Sequence, residues 1–158
     1  MQEEDKKNIR KRYEELKSRY SLPAFDALES DFGISSIEKE ENLLKEIRKK
    51  IEAKLDEFAE ILSPLLQPEP LIKDMQEYKA FNDADKKKLF DLYRKIMLYK
   101  KDAVLLSIES NDKAEVSFIN KFDGEWKKIK ESVKDVVLRL KDAWGREGYD
   151  EDDRGYMG

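Results

Sequence analysis

Two series of apolar residues spaced seven positions apart constrain the fold of this chain more than any other feature. The first comprises Ile37, Leu44, Ile51, Phe58 and Leu65, and the second comprises Ile119, Trp126, Val133 and Leu140. A seven-residue repeat held over several turns is typical of helices that pack along one another with closely aligned axes. The two series therefore predict long helices over residues 35–63 and 112–144, packed in a bundle.

Residues at the ends of these segments predict where the helices start and stop. Ser35 followed by Glu38 has the spacing of a capping box, which predicts a helix start at Ser35. Gly33, just before it, is suited to the left-handed conformation that ends a preceding helix. Asp112 and Glu115 have the capping-box spacing again and predict the start of the last helix. Gly124 interrupts that helix, and we interpret it as a tolerated surface glycine.

A third long helix is predicted over residues 83–110, with the cap residue Asn82 before it. Its apolar residues cover an arc of about 200° on a helical wheel, much wider than the stripe of an ordinary surface helix. They are Leu89, Phe90, Leu92, Tyr93, Ile96, Met97, Tyr99, Ala103, Val104 and Leu106. So wide an arc predicts that this helix lies in the middle of the bundle with other helices packed around it.

The remaining segments complete the predicted architecture. Residues 3–20 form an amphipathic helix, residues 23–32 a second short helix, and residues 70–81 a short connector. The fold class is thus all-α: an antiparallel helical bundle of three long helices, an N-terminal helix pair and a short connecting helix. Residues 1–144 form the single predicted domain. Residues 145–158, rich in glycine and acidic residues, are predicted to be a disordered tail.

Composition excludes several classes of protein and site. The chain has no cysteine and no histidine, so it lacks the usual zinc ligands and the commonest general base. It contains no apolar run long enough to cross a membrane and no apolar segment of a secretory signal, and with no cysteine this predicts a cytoplasmic protein. Charged residues make up 43% of the chain, a proportion also found in thermophilic proteins.

The net charge of −4 is concentrated at the end of the sequence. Residues 145–158 carry −3, so the remaining chain is close to neutral and has no general attraction for nucleic acid. The acidic run at residues 150–153 does not match the ligand spacing of a divalent-cation loop. Carboxylates are frequent on the predicted helices, and we expect none of them in the apolar seams where a di-metal bundle site would need them.

Lys100 lies in the middle of the apolar arc, and Ser107 lies two turns further along the same helix. These two residues are candidate buried polar groups. A desolvated lysine is a candidate nucleophile or half of a buried ion pair. The alternative is that its aliphatic stem packs on the core while its ammonium reaches water or pairs with a neighbouring carboxylate, and we favour this alternative.

Two other groups of residues on the same helix are candidate binding surfaces. Leu98 and Leu105 point away from the apolar arc and form a candidate interface for a protein partner or a second copy of the chain. Basic side chains near the start of the helix form a candidate phosphate-contacting face. These are Lys86, Lys87, Lys88, Arg94 and Lys95. The alternative is a solvated helix face balanced by nearby glutamates, and we favour it because no nucleic-acid-binding motif accompanies these charges.

No phosphate-binding loop, dinucleotide fingerprint or nucleophile elbow is present, and we recognise no family. The sequence therefore predicts a protein that is not an enzyme, with no catalytic residues, no metal and no cofactor. Its predicted function is protein–protein interaction or scaffolding, with a protein partner or self-association and no membrane. The alternative is a nucleic-acid-associated protein that uses the basic face around residues 86–95.

Overall fold

The computed structural model describes residues 3–146, with the side chains of residues 8–146, and every regular element in that range is helical. The α-helices are α1 (Glu3–Arg19), α2 (Phe25–Phe32), α3 (Leu43–Leu62), α4 (Met75–Tyr78), α5 (Asp83–Ile108) and α6 (Asp112–Gly145). The predicted all-α bundle, with an N-terminal helix pair and a short connecting helix, is confirmed. The predicted tail lies outside the described residues from position 147 onward.

Helices α3 and α6 lie side by side and run in the same direction. Arg48 near the start of α3 contacts Glu115 near the start of α6, and Phe58 stacks on Trp126 further along, with ring centroids 5.5 Å apart. The buried members of the two predicted seven-residue series are Ile37, Leu44, Ile51, Leu65, Ile119, Trp126, Val133 and Leu140. Both repeats therefore serve the core of one chain, as expected of helices that pack with aligned axes.

Helix α5 runs antiparallel to both of these helices. Its Tyr99 hydroxyl donates to the carbonyl of Lys121 in α6 over 3.1 Å, and Arg139 near the end of α6 donates to Asp85 at the start of α5 over 2.9 Å. On its other side, Lys100 pairs with Asp56 of α3 at 2.9 Å. The three long helices thus form an up-down-up arrangement.

The prediction that α5 lies in the middle of the bundle is wrong. It is α3 that contacts α1, α2, α5 and α6, whereas α5 packs mainly on α3, on α6 and on the 3₁₀ segment Ser63–Leu66. Leu89, Ile96 and Ala103 of the α5 arc are buried, but Phe90 and Val104 are exposed. The wide apolar arc therefore has two covered sides and one uncovered side, and the uncovered side faces solvent.

The N-terminal helix pair covers one side of α3. Ile9, Tyr13 and Leu16 of α1 are buried, and the Tyr13 ring meets the edge of Phe25 in α2 at 5.6 Å. Gly33 ends α2 with φ 60° and ψ 46°, so the predicted left-handed conformation is confirmed. Here glycine avoids the steric cost that a Cβ would add.

The predicted helix start at Ser35 is wrong. The backbone N–H and the hydroxyl of Ser35 both donate to the Glu29 carboxylate at 2.8 Å, so its side chain is not free to cap a following helix. Ile37 is extended, with φ −67° and ψ 132°, and α3 begins only at Leu43. The burial of Ile34 and Ile37 shows that this connection belongs to the core although it is not α-helical.

The caps of the last two helices are both asparagines. Asn82 accepts from the Asp85 N–H, and the Asp85 carboxylate accepts from the Asn82 N–H, which completes a capping box and confirms the predicted start of α5. At α6 the cap is Asn111, whose side chain accepts from the Ala114 N–H. The predicted Asp112–Glu115 capping box is therefore wrong, because Glu115 is buried in the core.

The short connector covers the far end of α6. With 34 residues, α6 extends beyond the 20-residue α3, and α4 packs against its last turns. Gln76 donates to the carbonyl of Ala143 over 2.9 Å, and the Trp144 indole N–H donates to Glu77 over 2.7 Å. The predicted helix over residues 70–81 is reduced to a 3₁₀ turn and one turn of α-helix.

Candidate interaction surface on α5

The side of α5 that faces solvent carries a set of large apolar side chains, which we name the α5 outer face. Its apolar members are Phe90, Met97, Leu98, Val104, Leu105 and Ile108. The exposed fraction is 54% for Leu98, 64% for Leu105 and 77% for Ile108. Single exposed leucines are ordinary on protein surfaces, but here six apolar residues share one side of one helix.

These apolar residues form two lines along α5. Phe90, Met97 and Val104 are seven residues apart and form one line, and Leu98 and Leu105 form the other. This is the spacing of the seams that α3 and α6 use inside the bundle. The outer face therefore has the pattern of a helix-packing surface, and in the described part of the chain no helix covers it.

A line of basic residues runs between the two apolar lines. Lys87, Arg94 and Lys101 are seven residues apart, all three are exposed, and Ile108 follows at the same spacing. None of the carboxylates that the structure describes forms an ion pair with these three side chains. Two exposed aspartates extend the apolar lines toward the start of α5: Asp83 is seven residues before Phe90, and Asp91 is seven residues before Leu98. The outer face is therefore apolar with a basic centre.

Sequence reasoning found only part of this surface. Leu98 and Leu105 were predicted as interface residues, and the structure places both on the outer face with high exposure. Phe90, Met97 and Val104 were predicted as core residues because they belong to the wide apolar arc. Their seven-residue spacing was the available signal, since it indicates a second seam on a helix that already has one.

The five candidate phosphate-contacting residues do not share one surface. Lys87 and Arg94 lie on the outer face, whereas the Lys86 ammonium lies 3.3 Å from the centre of the Tyr78 ring near α4. Lys88 and Lys95 point toward α6, where Lys95 pairs with Glu125 at 3.3 Å. The basic cluster is thus divided among three directions around α5, which gives a phosphate backbone no continuous basic track.

A groove of about 270 Å³ separates the outer face from α6. Leu98 and Tyr99 line it together with charged residues of both signs, including Lys95 and Glu125. Burial raises the pKa of Tyr99, and the negative charge of the nearby Glu125 carboxylate acts in the same direction. Partial burial opposes ionisation of Glu125, but the positive charge of Lys95, whose ammonium lies 3.3 Å from that carboxylate, prevails and lowers its pKa. This groove is therefore a mixed-charge border of the outer face.

Lys100 and Ser107 are not buried polar groups. Lys100 is partly exposed, and its ammonium pairs with Asp56 at 2.9 Å, which is the favoured alternative for this residue. Ser107 is exposed, and its hydroxyl donates to the carbonyl of Val104 over 2.6 Å in its own helix. The expectation of burial fails because the side of the arc that holds Ser107 faces solvent.

The buried polar cluster of this protein lies elsewhere, around Arg48 and Glu115. These side chains are 3% and 1% exposed, and Arg48 Nε lies 2.9 Å and 3.1 Å from the two Glu115 carboxylate oxygens. Arg48 Nη1 donates to Glu52 over 2.7 Å, and the Ser110 hydroxyl donates to Glu115 over 2.8 Å. The expectation that no carboxylate enters the apolar seams is wrong.

This cluster joins elements without opening onto a binding site. Arg48 Nη1 also lies 3.4 Å from the carbonyl of Ala103, so one guanidinium contacts α3, α5 and α6. Arg48 pairs with both Glu52 and Glu115, so the charges of the cluster balance one another inside the chain. The geometry is that of an internal ion pair that fixes the relative positions of three helices.

Within the described residues, no three side chains of the usual metal-binding types lie close enough to hold an ion, and no described helix combines the length and apolar character needed to cross a bilayer. Comparison of the chain with protein-family models, with curated proteins and with solved structures found no match. The α5 outer face is the surface that the geometry singles out.

Proposed function

We propose that this protein is a non-catalytic interaction module whose α5 outer face binds a helix of a partner protein. The observation that carries the proposal is the second seam of α5, which runs from Phe90 to Ile108. Its apolar residues at seven-residue spacing are exposed, except for the partly exposed Met97. Burying such a face against a partner is favourable by roughly 25 cal/mol per Å² of apolar surface removed from water. A face about 27 Å long matches a partner helix of some five turns.

A non-catalytic role is supported by the state of the polar groups in the core. Arg48 and Glu115 are paired with each other and with neighbouring side chains. Lys100, the nucleophile candidate of the sequence, is paired with Asp56 near the surface. A nucleic-acid role has less support, since the basic residues around positions 86–95 point in three directions and exposed apolar lines flank two of them.

The experiment titrates isotopically labelled protein with synthetic amphipathic helices and follows the backbone amide resonances. These peptides have identical apolar faces. Beside that face they carry acidic, neutral or basic side chains. We expect shifts of the resonances of α5 and its neighbours along α6. If none of the peptides perturbs α5, or if a duplex RNA binds the protein more tightly than every peptide, the proposal is wrong.

A matched pair of variants tests the location of the surface. Leu98→Ser with Leu105→Ser removes one apolar line of the outer face and should weaken peptide binding. Leu71→Ser with Leu138→Ser changes two leucines of similar exposure, 62% and 53%, away from the face and should leave binding unchanged. Equal effects of the two double variants would contradict the assignment of the surface.

A further inference from the structure

The basic line of the α5 outer face restricts which partner can cover it. Arg94 and Lys101 occupy the line between the two apolar lines, so a helix packed on this face covers both residues. Moving a basic side chain out of water without a counter-charge costs several kcal/mol, which is comparable to the gain from burying a large apolar side chain. A compatible partner therefore has to supply carboxylates at these positions.

A second copy of the chain does not meet this requirement. If two α5 outer faces packed together in either relative direction, the shared seam would contain two Arg94 and two Lys101 side chains. Each copy also brings Lys87 and two aspartates, Asp83 seven residues before Phe90 and Asp91 seven residues before Leu98. Three basic residues therefore stand against two carboxylates, and the shared seam has a net positive charge. This net positive charge opposes self-association through this surface.

A nucleic-acid backbone does not fit the face either. Phosphates would satisfy Lys87, Arg94 and Lys101, but they would leave Phe90, Val104 and the other flanking apolar side chains without apolar contacts. Phe90 and Val104 are 54% and 46% exposed. A partner that is both acidic and apolar satisfies the basic line and the apolar lines together.

We propose that the α5 outer face binds an acidic amphipathic helix in which carboxylates seven residues apart lie between two apolar lines. The carboxylates pair with Lys87, Arg94 and Lys101, and the flanking apolar side chains pack on the Phe90–Met97–Val104 and Leu98–Leu105 lines. This inference rests on the proposed function and specifies the chemistry of the partner. The charge pairing gives selectivity, whereas apolar burial gives most of the affinity.

The test uses three fluorescent helical peptides with identical apolar positions. At three positions seven residues apart, one peptide carries Glu, the second Gln and the third Lys. Fluorescence anisotropy with the 158-residue chain measures the affinity of each peptide at low salt and at about 1 M salt, where the screening length falls to about 3 Å. We expect the Glu peptide to bind on the order of tenfold more tightly than the Lys peptide at low salt, with a smaller ratio at high salt.

Charge reversal on the protein should reverse this preference. Arg94→Glu with Lys101→Glu changes exposed residues, so the fold is preserved, and this variant should bind the Lys peptide more tightly than the Glu peptide. Lys127→Glu with Lys128→Glu makes the same charge change at exposed positions of α6 and should keep the preference for Glu.

The outcomes separate the inference from the proposed function. Equal binding of the three peptides to α5, or an unchanged preference after reversal of Arg94 and Lys101, would overturn the acidic partner and leave a non-selective helix-binding surface. No binding of any peptide would overturn the proposed function itself. If a labelled duplex RNA binds more tightly than the Glu peptide, and binds less tightly after the same reversal, the basic line is a phosphate site and the inference is wrong.

Discussion

At the scale of single residues, Arg48 and Glu115 determine how the three long helices fit together. A buried ion pair contributes little net stability, because the attraction between its charges is offset by the cost of removing both from water. Its geometry nevertheless favours the observed relative position of α3 and α6, since each carboxylate oxygen of Glu115 accepts from a donor. An apolar seam alone tolerates a shift along the helix axis more readily than this pair does.

Replacing either Arg48 or Glu115 should lower the free energy of unfolding, and the size of the decrease should differ between the two variants. Arg48→Met leaves the 1% exposed Glu115 carboxylate without its cation, and we expect a loss of about 3–5 kcal/mol in the free energy of unfolding. Glu115→Gln leaves Arg48 paired with Glu52, so we expect a smaller loss of about 1–3 kcal/mol. Urea denaturation followed by circular dichroism measures both.

Replacing both residues tests whether the loss comes from an unpaired charge. The double variant Arg48→Met with Glu115→Leu buries no isolated charge, so it should be more stable than Arg48→Met alone. If the double variant were less stable than either single variant, the ion pair would itself be a major source of stability. That result would contradict the assignment of the pair to positioning.

Asp31 should make stability depend on pH in the acid range. Partial burial of its carboxylate opposes ionisation, but hydrogen bonds from Lys130 and Trp126, at 2.8 Å and 2.7 Å, prevail and lower its pKa below the ordinary value of 3.8. A carboxyl with a lowered pKa in the folded state stabilises the fold above its unfolded pKa, and this stability is lost as pH falls through the folded pKa. Asp31→Asn should therefore be less stable than the wild type at pH 7.

The difference between wild type and Asp31→Asn should decrease as the pH is lowered below about 4. Denaturant unfolding at a series of pH values measures it. Asp26→Asn on the same helix is the control at pH 7, because Asp26 is 80% exposed and its ion pair with Arg10 is long at 3.5 Å. A stability difference for Asp31→Asn that stayed constant into the acid range would contradict the role of the ionised carboxylate.

At the scale of helices, the residues that share one face of a helix could be predicted from the sequence. The elements that cover that face could be predicted less well. The repeats of α3 and α6 were predicted with their buried residues, and Asn82 was predicted as the cap of α5. The arc of α5 was interpreted as a single buried surface, although Phe90 and Val104 belong to an uncovered seam. Helical periodicity carries no information about whether a neighbouring helix is present.

The buried ion pair could have been found from the same repeats. Arg48 lies seven residues before Leu55, and Glu115 lies seven residues before Phe122, so each polar residue occupies a core position of its own helix. The two residues have opposite charge, which makes them natural partners when both seams face each other. The Glu29–Ser35 contact gave no such signal, because it depends on the path of the connection between α2 and α3.

Two glycines of the helical framework should respond to alanine in opposite ways. A Cβ at Gly124 would meet no atom within 4 Å, and this residue lies inside α6, so Gly124→Ala should stabilise the protein by about 0.5–1 kcal/mol. Gly33 is equally open but has φ 60°, so Gly33→Ala should destabilise by about 1–2 kcal/mol through backbone strain. Thermal and denaturant unfolding of both variants measure these changes.

The comparison of the two glycines separates helix propensity from steric fit. Both positions have room for a methyl group, so crowding does not account for a difference between them. Destabilisation by Gly124→Ala would show that another backbone approaches α6 at this point, contrary to the structure. An unchanged stability for Gly33→Ala would show that the left-handed residue is not needed to end α2.

At the scale of the whole molecule, the basic line of α5 determines whether the outer face binds a partner protein or a second copy of the chain. The outer face has the spacing of a dimer seam, and two cationic positions interrupt it. At low salt we expect the protein to be a monomer of 18.7 kDa. Replacing Arg94 and Lys101 by leucine leaves both apolar lines intact and removes the repulsion, so this double variant should self-associate.

Size-exclusion chromatography with light scattering over a range of protein concentrations tests this prediction. The variant Arg94→Leu with Lys101→Leu should give a mass twice that of the wild type, and Lys127→Leu with Lys128→Leu on α6 should remain monomeric as the matched control. At about 1 M salt the wild type should shift partly toward the dimer, because screening weakens repulsion between cations in the seam. A wild-type dimer at low salt that is disrupted by Leu98→Ser with Leu105→Ser would show that the basic line does not prevent self-association.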